Sequence, residues 1–247
     1  MNTLPIIIDY ANRSFRDLAD QDYIAARFCY RYGLDQLFLW NSLQAIEKYL
    51  KSILLYNMKS SRGIGHDLCK ALDRVRAIKE IPFDFPEDVL RFIEYLNQYG
   101  KDRYLVQPTH IRDRALLYLD KTVWHIRRYC LYIQREITKP DGTIVNVLEL
   151  ELRRIHSPYY IHNWHKYKLF GGYLEKSIQN NALVAEHIIW KNFFFGRKRK
   201  EKIRNYTIRI SSTNPTHFMH PESFEELDKL VDFPKFVRKQ FKANGAS

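Results

Sequence analysis

Apolar residues recur at every third or fourth position over residues 35–57, a spacing that an α-helix places on one face. The positions are Leu39, Leu43, Ile46, Leu50, Ile53 and Leu54. Such a helix, about six turns long, is stable in water only when the rest of the chain covers its apolar face. This segment therefore predicts a domain built by packing helices around it.

Four further segments carry the same helical spacing of apolar residues. They are interrupted by residues that end helices, Gly33, Pro82 and Pro108 among them, and by a loop with two glycines at 59–66. We therefore predict an all-α domain with five helices, which lie at residues 15–34, 35–57, 66–78, 86–100 and 111–137.

The turn sequence Thr138-Lys-Pro-Asp-Gly-Thr143 marks a predicted domain boundary. It separates a helical domain at 10–137 from a smaller, basic and mostly helical extension at 145–243. The extension is predicted to contain a helix or strand at 145–155, a helix at 182–195, a short strand at 206–210, a helix at 221–231 and a helical tail from Pro234.

The chain carries 40 Lys and Arg against 28 Asp and Glu, a formal charge of +12. Residues 141–247 hold 18 of the basic and 11 of the acidic residues, so the shorter half is the more basic one. A cationic excess of this size attracts polyanions, of which nucleic acid is the commonest for a cytosolic protein. We therefore expect an RNA partner.

Location and cofactors are predicted from what the sequence lacks. No run of about 18 apolar residues predicts a membrane span, and the first residues lack the features of a signal peptide. The three cysteines, Cys29, Cys69 and Cys130, are scattered among apolar neighbours, as in reduced cytoplasmic proteins. We expect a cytoplasmic protein with no membrane partner, no metal site and no cofactor.

Two stretches carry a resemblance to a known family. Ala45-Ile-Glu-Lys-Tyr-Leu-Lys51-Ser-Ile-Leu-Leu55 is followed, after a loop, by Gly65-His-Asp-Leu68, and Asp22–Arg27 and Asp102-Arg103-Tyr104 add to the pattern. Over residues 10–137 the chain resembles the HEPN family (higher eukaryotes and prokaryotes nucleotide-binding domain).

The resemblance implies an up-and-down helical bundle that is often a homodimer. Members occur in toxin–antitoxin pairs, in phage-defence systems and as partners of nucleotidyltransferases. Many are metal-independent endoribonucleases with an Arg-x(4–6)-His motif, whereas others lack the motif and bind or regulate. An antitoxin or a nucleotidyltransferase is thus an implied partner.

Arg103 and His110 form the only Arg-x(4–6)-His match in the chain. With 21 Arg and 9 His, about two matches are expected by chance, so the spacing alone has no weight. The pair lies between the fourth and fifth predicted helices, where the family places its motif. A His can transfer protons near neutral pH and an Arg can stabilise the charge of a phosphorane. The alternative is a solvated Arg and a loop His, with Tyr104 supporting phosphate positioning or packing.

Glu47 and Lys51 are supporting candidates. Glu47 lies at the edge of the apolar stripe and could be partly buried, pairing with Arg103 or Lys51. We favour a surface ion pair between Glu47 and Lys51, which would stabilise the fold by only a few tenths of a kcal/mol.

Residues 191–204 form the most basic segment, in which cations follow three phenylalanines, Phe193–Phe195. Cations neutralise phosphates and exposed rings stack on unpaired bases, so the segment is a candidate RNA-binding loop. Alternatively the rings are core anchors and the cations a solubilising tail. The candidate RNA-binding residues are Lys191, Arg197, Lys198, Arg199, Lys200, Lys202 and Arg204.

Two functions of different classes remain. The first is a HEPN-like endoribonuclease of a toxin or phage-defence system that acts without a metal. The second is a non-catalytic HEPN module that binds nucleic acid, a nucleotide or a partner protein.

Overall fold

The computed structural model describes residues 3–101, 105–134, 136–196 and 209–244 and is mainly helical, which confirms the predicted fold class. The first half is built from helices and one short strand. They are α1 (Leu4–Tyr10), a π-helical turn (Ala11–Arg16), α2 (Asp17–Arg31), α3 (Asp35–Tyr56), α4 (Leu68–Arg76), α5 (Glu87–Tyr99), β1 (Thr109–Ile111) and α6 (Ala115–Arg127).

Helix α3 is the centre of the bundle. It packs against α2, α4, α5 and α6, and its apolar stripe from Leu39 to Leu54 is almost completely buried. The helix predicted at 35–57 is confirmed to within one residue. The end of α5 comes so close to α3 that a Cβ on Gly100 would lie 2.8 Å from the Cβ of Leu43 and 3.1 Å from the carbonyl of Leu39.

The predicted helix at 111–137 is wrong at both ends. Its first residue, Ile111, is the last residue of strand β1, which pairs in antiparallel register with β4 (Ser211–Thr213) about a hundred residues later, and the helix begins only at Ala115. Its end is non-helical, although Cys130 and Ile133 are buried as the apolar pattern predicts.

The turn at 138–143 joins a hairpin of β2 (Glu136–Thr138) and β3 (Ile144–Asn146). The elements after it are α7 (Val147–Ile155), α8 (Pro158–His162), a 3₁₀ turn (Trp164–Lys166), α9 (Tyr173–Asn180), α10 (Ala182–Ile189), α11 (Thr216–Met219), a second 3₁₀ turn (Pro221–Ser223), α12 (Phe224–Leu230) and α13 (Lys235–Asn244). Residues 206–208 of the predicted strand lie outside the described residues.

Residues on both sides of the hairpin share one hydrophobic core. Leu174, Ile188, Phe194 and Phe195 belong to the same buried cluster as the stripe of α3. A second, smaller cluster forms around Phe224, Phe233 and Val237. The division of the chain at the turn stays a prediction, since shared packing is compatible with either one domain or two.

Buried ion pairs also connect the two halves. Asp20 of α2 accepts hydrogen bonds from Arg127 of α6 (2.7 and 2.8 Å) and from the backbone N–H of Leu174 (2.9 Å). Arg127 also binds Glu175 of α9 at 2.6 and 2.8 Å. Because each charge has an opposite partner, the network can be buried without an unpaired ion.

A second pair lies beside it. Arg27 of α2 binds Asp120 of α6 and the carbonyl of Trp190, and both charged side chains are fully buried. Tyr23 donates to Asp120 at 2.7 Å and receives a bond from Asn192 at 2.9 Å. The segment after α10 is thereby fixed to α2 and α6.

Crossing a lipid bilayer requires a helix that is both long and apolar. None of the helices within the described ranges combines the two properties to the extent that a membrane span needs.

Candidate functional site

His110 is the middle residue of β1, and its side chain points away from the core. The strand buries Thr109 and Ile111, while His110 is exposed, as expected from the alternation of side chains along a strand. Its main chain lies opposite Ser212 of β4. The imidazole is thus presented to solvent from a backbone that is held in place.

Tyr95 of α5 holds the backbone of the same residue. Its hydroxyl donates to the carbonyl of His110 at 2.5 Å. Burial raises the pKa of Tyr95, so the hydroxyl stays protonated and remains a donor at all physiological pH values. The guanidinium carbon of Arg112 lies 5.6 Å from the ring centre of Tyr95 and 5.1 Å from that of Tyr118. These contacts hold a positive charge two residues from His110.

The partner strand β4 is tied to the beginning of α3. Ser211 donates from its hydroxyl to Asp35 at 2.5 Å, and Arg209 pairs with the same carboxylate. The guanidinium of Arg209 also lies over the ring of Tyr30, 5.6 Å from its centre. The strand pair that carries His110 is therefore attached to α2, α3 and α5.

Glu47 forms a second polar cluster, on α3. Glu47 is only 4% exposed, and its carboxylate lies 2.5 Å from Nζ of Lys51 and 2.7 Å from Nδ1 of His66. Lys51 also donates to the carbonyl of Gly65 at 3.0 Å, and the His66 ring lies 5.9 Å from that of Trp40. The favoured interpretation of Glu47 as a surface ion pair is wrong, because the carboxylate is buried beneath the loop that precedes α4.

One family model matches the first half of this helical bundle. The model of the HEPN domain matches residues 13–115, which span α2 to α5 and the strand with His110. Over these residues the chain is similar to the HEPN domain. The family resemblance that the sequence suggested is confirmed over these residues, and HEPN domains are nucleotide-binding or RNase-type modules that are often dimeric. No curated protein and no solved structure matches the chain significantly.

The segment of the HEPN domain that would hold Arg103 and Tyr104 lies outside the described residues. His110 follows it by six residues in β1 rather than in a helix. The structure therefore brings Glu47 and Lys51 together, with His66, and it places His110 on β1. The pairing of Arg103 with His110 stays a prediction.

Most of the basic segment beyond the HEPN domain also lies outside the described residues. This holds for Arg197, Lys198, Arg199, Lys200, Lys202 and Arg204. Lys191 is described, and its Nζ lies 5.1 Å from the centre of the Trp190 ring. Phe194 and Phe195 are buried in the main core, whereas Phe193 is 41% exposed. Two of the three rings are therefore core anchors, and one remains accessible.

A metal ion needs several ligating side chains that converge on one point. Within the described ranges, no three His, Cys, Asp or Glu side chains come together in a group that could hold one. Cys29, Cys69 and Cys130 are free thiols, and burial raises the pKa of Cys130 to about 12, which makes its thiolate inaccessible near neutral pH.

Sequence reasoning missed Arg112 and Tyr95 as neighbours of His110. Arg112 follows His110 by two residues, so the sequence alone shows a cation close to this histidine. Tyr95 had no such signal, because its position in α5 predicts a core residue and nothing in the sequence links it to His110. The hydrogen bond arises only from tertiary packing.

Proposed function

We propose that the protein is an RNA-directed HEPN protein that cleaves RNA as a metal-independent endoribonuclease. The single observation that carries this is the presentation of His110: an exposed imidazole on a backbone fixed by the Tyr95 hydroxyl and the β1–β4 pairing. A proton-transfer group must reach the substrate from a fixed position, and the solvent exposure of His110 on a held backbone supports this role.

The proposed reaction is transesterification within the RNA strand. Neutral His110 takes the proton of a 2′-hydroxyl, the 2′-oxygen attacks the adjacent phosphorus, and the bond to the 5′-oxygen breaks. The proton ends on the leaving 5′-oxygen, and the products are a 2′,3′-cyclic phosphate and a 5′-hydroxyl. Arg103 supplies a positive charge for the phosphorane, and Arg112 adds a second one beside the strand.

RNA would be held by the basic segment 197–204. Its starting point is rigid, because Asn192 accepts hydrogen bonds from the backbone N–H groups of Phe194 and Phe195 at 2.9 and 3.1 Å. A cationic segment that follows a fixed point of the core can bind a phosphate backbone without reordering the domain. A homodimer in which Arg103 and His110 of two subunits meet at one phosphate, and a role in a toxin or phage-defence system, belong to the same proposal.

The test measures cleavage of a labelled single-stranded RNA in the presence of a chelator. His110→Ala and Arg103→Ala are each expected to reduce the rate by at least about 100-fold, since this is the usual contribution of an acid–base group or of a charge-stabilising donor. His220→Ala, which changes another exposed histidine, serves as the matched control and should cleave normally. A folded His110→Ala protein with an unchanged rate would refute the catalytic assignment.

The same assay distinguishes an endoribonuclease from a non-catalytic RNA-binding module. The module would bind RNA without turnover in the wild type. In either case, neutralising Arg197–Lys200 should lower the slope of log K against log salt by about 0.7 for each phosphate that the protein no longer neutralises. Neutralising the exposed cations near α4 (Arg62, Arg76 and Lys79) is the comparison. If it lowers the slope by the same amount, general charge attraction explains the affinity for RNA and segment 197–204 is not the binding site.

A further inference from the structure

A cavity of about 600 Å³ lies at the end of the bundle where α1 joins α2, far from the β1–β4 strands. Its walls come from the π-helical turn before α2, from α7 and from the segment that precedes α9. This volume is typical of a site for a small organic ligand. Arg16 is the only lining residue within the matched HEPN segment, so the cavity depends on the rest of the chain.

Three of the four charged residues that line the cavity are cationic. Arg16, Arg154 and Lys168 line it, and Glu151 is the only acidic residue in the lining. Together with Asp17, which pairs with Arg16, these side chains carry a net charge of +1, a sign that favours an anion such as a phosphate monoester.

The two arginines of the lining are held in place by their surroundings. Arg16 donates from Nε to Asp17 at 2.9 Å and from Nη2 to the carbonyl of Gly171 at 3.4 Å. Arg154 pairs with Glu151 at 3.1 Å, and its guanidinium lies 4.5 Å from the centre of the Tyr167 ring. Planar guanidinium groups that are held in this way bind phosphate with little further loss of entropy.

The lining of the cavity also includes apolar and aromatic side chains. Phe170 lies in its lining and is 94% exposed, beside Gly171, whose φ of +69° is a conformation that favours glycine. Tyr132 and Leu131 add to the same lining. An exposed phenylalanine in the lining of a cavity with a net positive charge can stack on a planar base.

The backbone at this place is also unusual. Asn12 and Arg16 both belong to the π-helical turn Ala11–Arg16, and Tyr56 donates to the side chain of Asn12 at 2.6 Å. Single π-helical turns are rare and are frequently found at functional sites, because they shift side chains out of the regular helical register.

The cavity is remote from the candidate RNA site. Asn12 contacts Tyr56, the last residue of α3, whereas β4 is bonded to Asp35, the first residue of the same helix. With 22 residues and a rise of about 1.5 Å per residue, α3 separates the two places by roughly 30 Å.

We propose that this cavity is a binding site for a nucleoside monophosphate, distinct from the site of RNA cleavage. The phosphate lies between Arg16, Arg154 and Lys168, and the base stacks on Phe170. The proposal goes beyond the proposed function and does not depend on His110.

The test measures binding of AMP, GMP, CMP and UMP to the full chain by calorimetry, with the matching nucleosides and inorganic phosphate as probes. At least one monophosphate should bind, and its nucleoside should bind about ten-fold or more weakly, since it lacks the charged group that the arginines hold. Lys168→Ala should weaken the monophosphate about ten-fold, and Phe170→Ala should weaken it to a similar degree without changing the affinity for phosphate. Both side chains are exposed, so the fold should be retained.

Lys176→Ala is the matched control, because Lys176 is an exposed lysine of α9 outside the cavity lining, and it should bind as the wild type does. The proposal is overturned if none of the four monophosphates binds at millimolar concentration. It is equally overturned if Lys168→Ala and Lys176→Ala bind with the same affinity as each other. Loss of RNA cleavage in His110→Ala has no bearing on this result, so the two proposals fail separately.

Discussion

His125 of α6 should make the folded protein less stable in mild acid. The side chain is 9% exposed, and its Nδ1 lies 3.2 Å from Nη2 of Arg128. Burial, followed by the positive charges of Arg128 and Lys121, lowers the pKa of His125 to about 3, against 6.5 for an ordinary histidine. Asp88 acts in the opposite direction but does not compensate.

The direction of the effect follows from which state binds the proton. Below pH 6.5 the unfolded chain takes up a proton at His125 and the folded chain does not, so acid favours unfolding. The contribution to stability is complete above about pH 6.5 and is lost progressively as the pH falls towards 3. At pH 5.0 the loss is about 1.36 × 1.5, or roughly 2 kcal/mol.

Urea denaturation at pH 7.0 and pH 5.0 measures this loss. His125→Gln removes the titrating group, so the variant should lose about 2 kcal/mol less than the wild type between the two pH values. Burial and Arg128 also lower the pKa of His156, but this group titrates in both proteins and cancels in the comparison. His220→Gln, at an exposed site, should behave as the wild type does. An identical pH dependence in wild type and His125→Gln would refute the reasoning.

Two further predictions concern the packing of the bundle. Asp120→Asn should lower the free energy of unfolding by about 3 kcal/mol, because it leaves Arg27 buried without its carboxylate, whereas Glu149→Gln in an exposed pair should leave the unfolding midpoint unchanged. Gly100→Ala should cost about 1–3 kcal/mol, because the added Cβ would lie 2.7 Å from the carbonyl oxygen of Leu96 and 2.8 Å from Leu43. Chemical denaturation checks both, and wild-type stability in either Asp120→Asn or Gly100→Ala contradicts the corresponding contact.

The local parts of the fold were predictable from sequence. The stripe of α3 alone located that helix, and the glycines and prolines between the other stripes located α4 and α5 closely. The start of the fifth predicted helix is wrong because it depends on a contact between residues that are far apart in the sequence. Thr109–Ile111 pairs with a strand about a hundred residues away, and apolar periodicity carries no information about such a partner.

Less of the candidate site follows from the sequence. The position of the Arg-x(4–6)-His match between two predicted helices makes His110 a candidate, the structure shows that this histidine is exposed, and its catalytic role stays a prediction. The burial of Glu47 was not predictable from its ion pair with Lys51, because the covering residue, His66, belongs to a loop that folds back over α3. Asp20 and Arg27 lie on the apolar side of α2, but only the tertiary structure identifies Arg127 and Asp120 as their partners.

The buried ion pairs have a consequence for the order in which a nascent chain acquires its structure. Asp20 and Arg27 leave the ribosome early, whereas Asp120 and Arg127 follow the end of the segment that the family model matches, and Glu175 comes later still. The ribosome adds roughly 5–20 residues per second. If the first helices packed together before those partners were synthesised, the charges of Asp20 and Arg27 would be buried without an opposite charge. Translation must therefore proceed well past residue 115 before the early helices can assemble, and a fragment cut at that residue should be a poor surrogate for the whole protein.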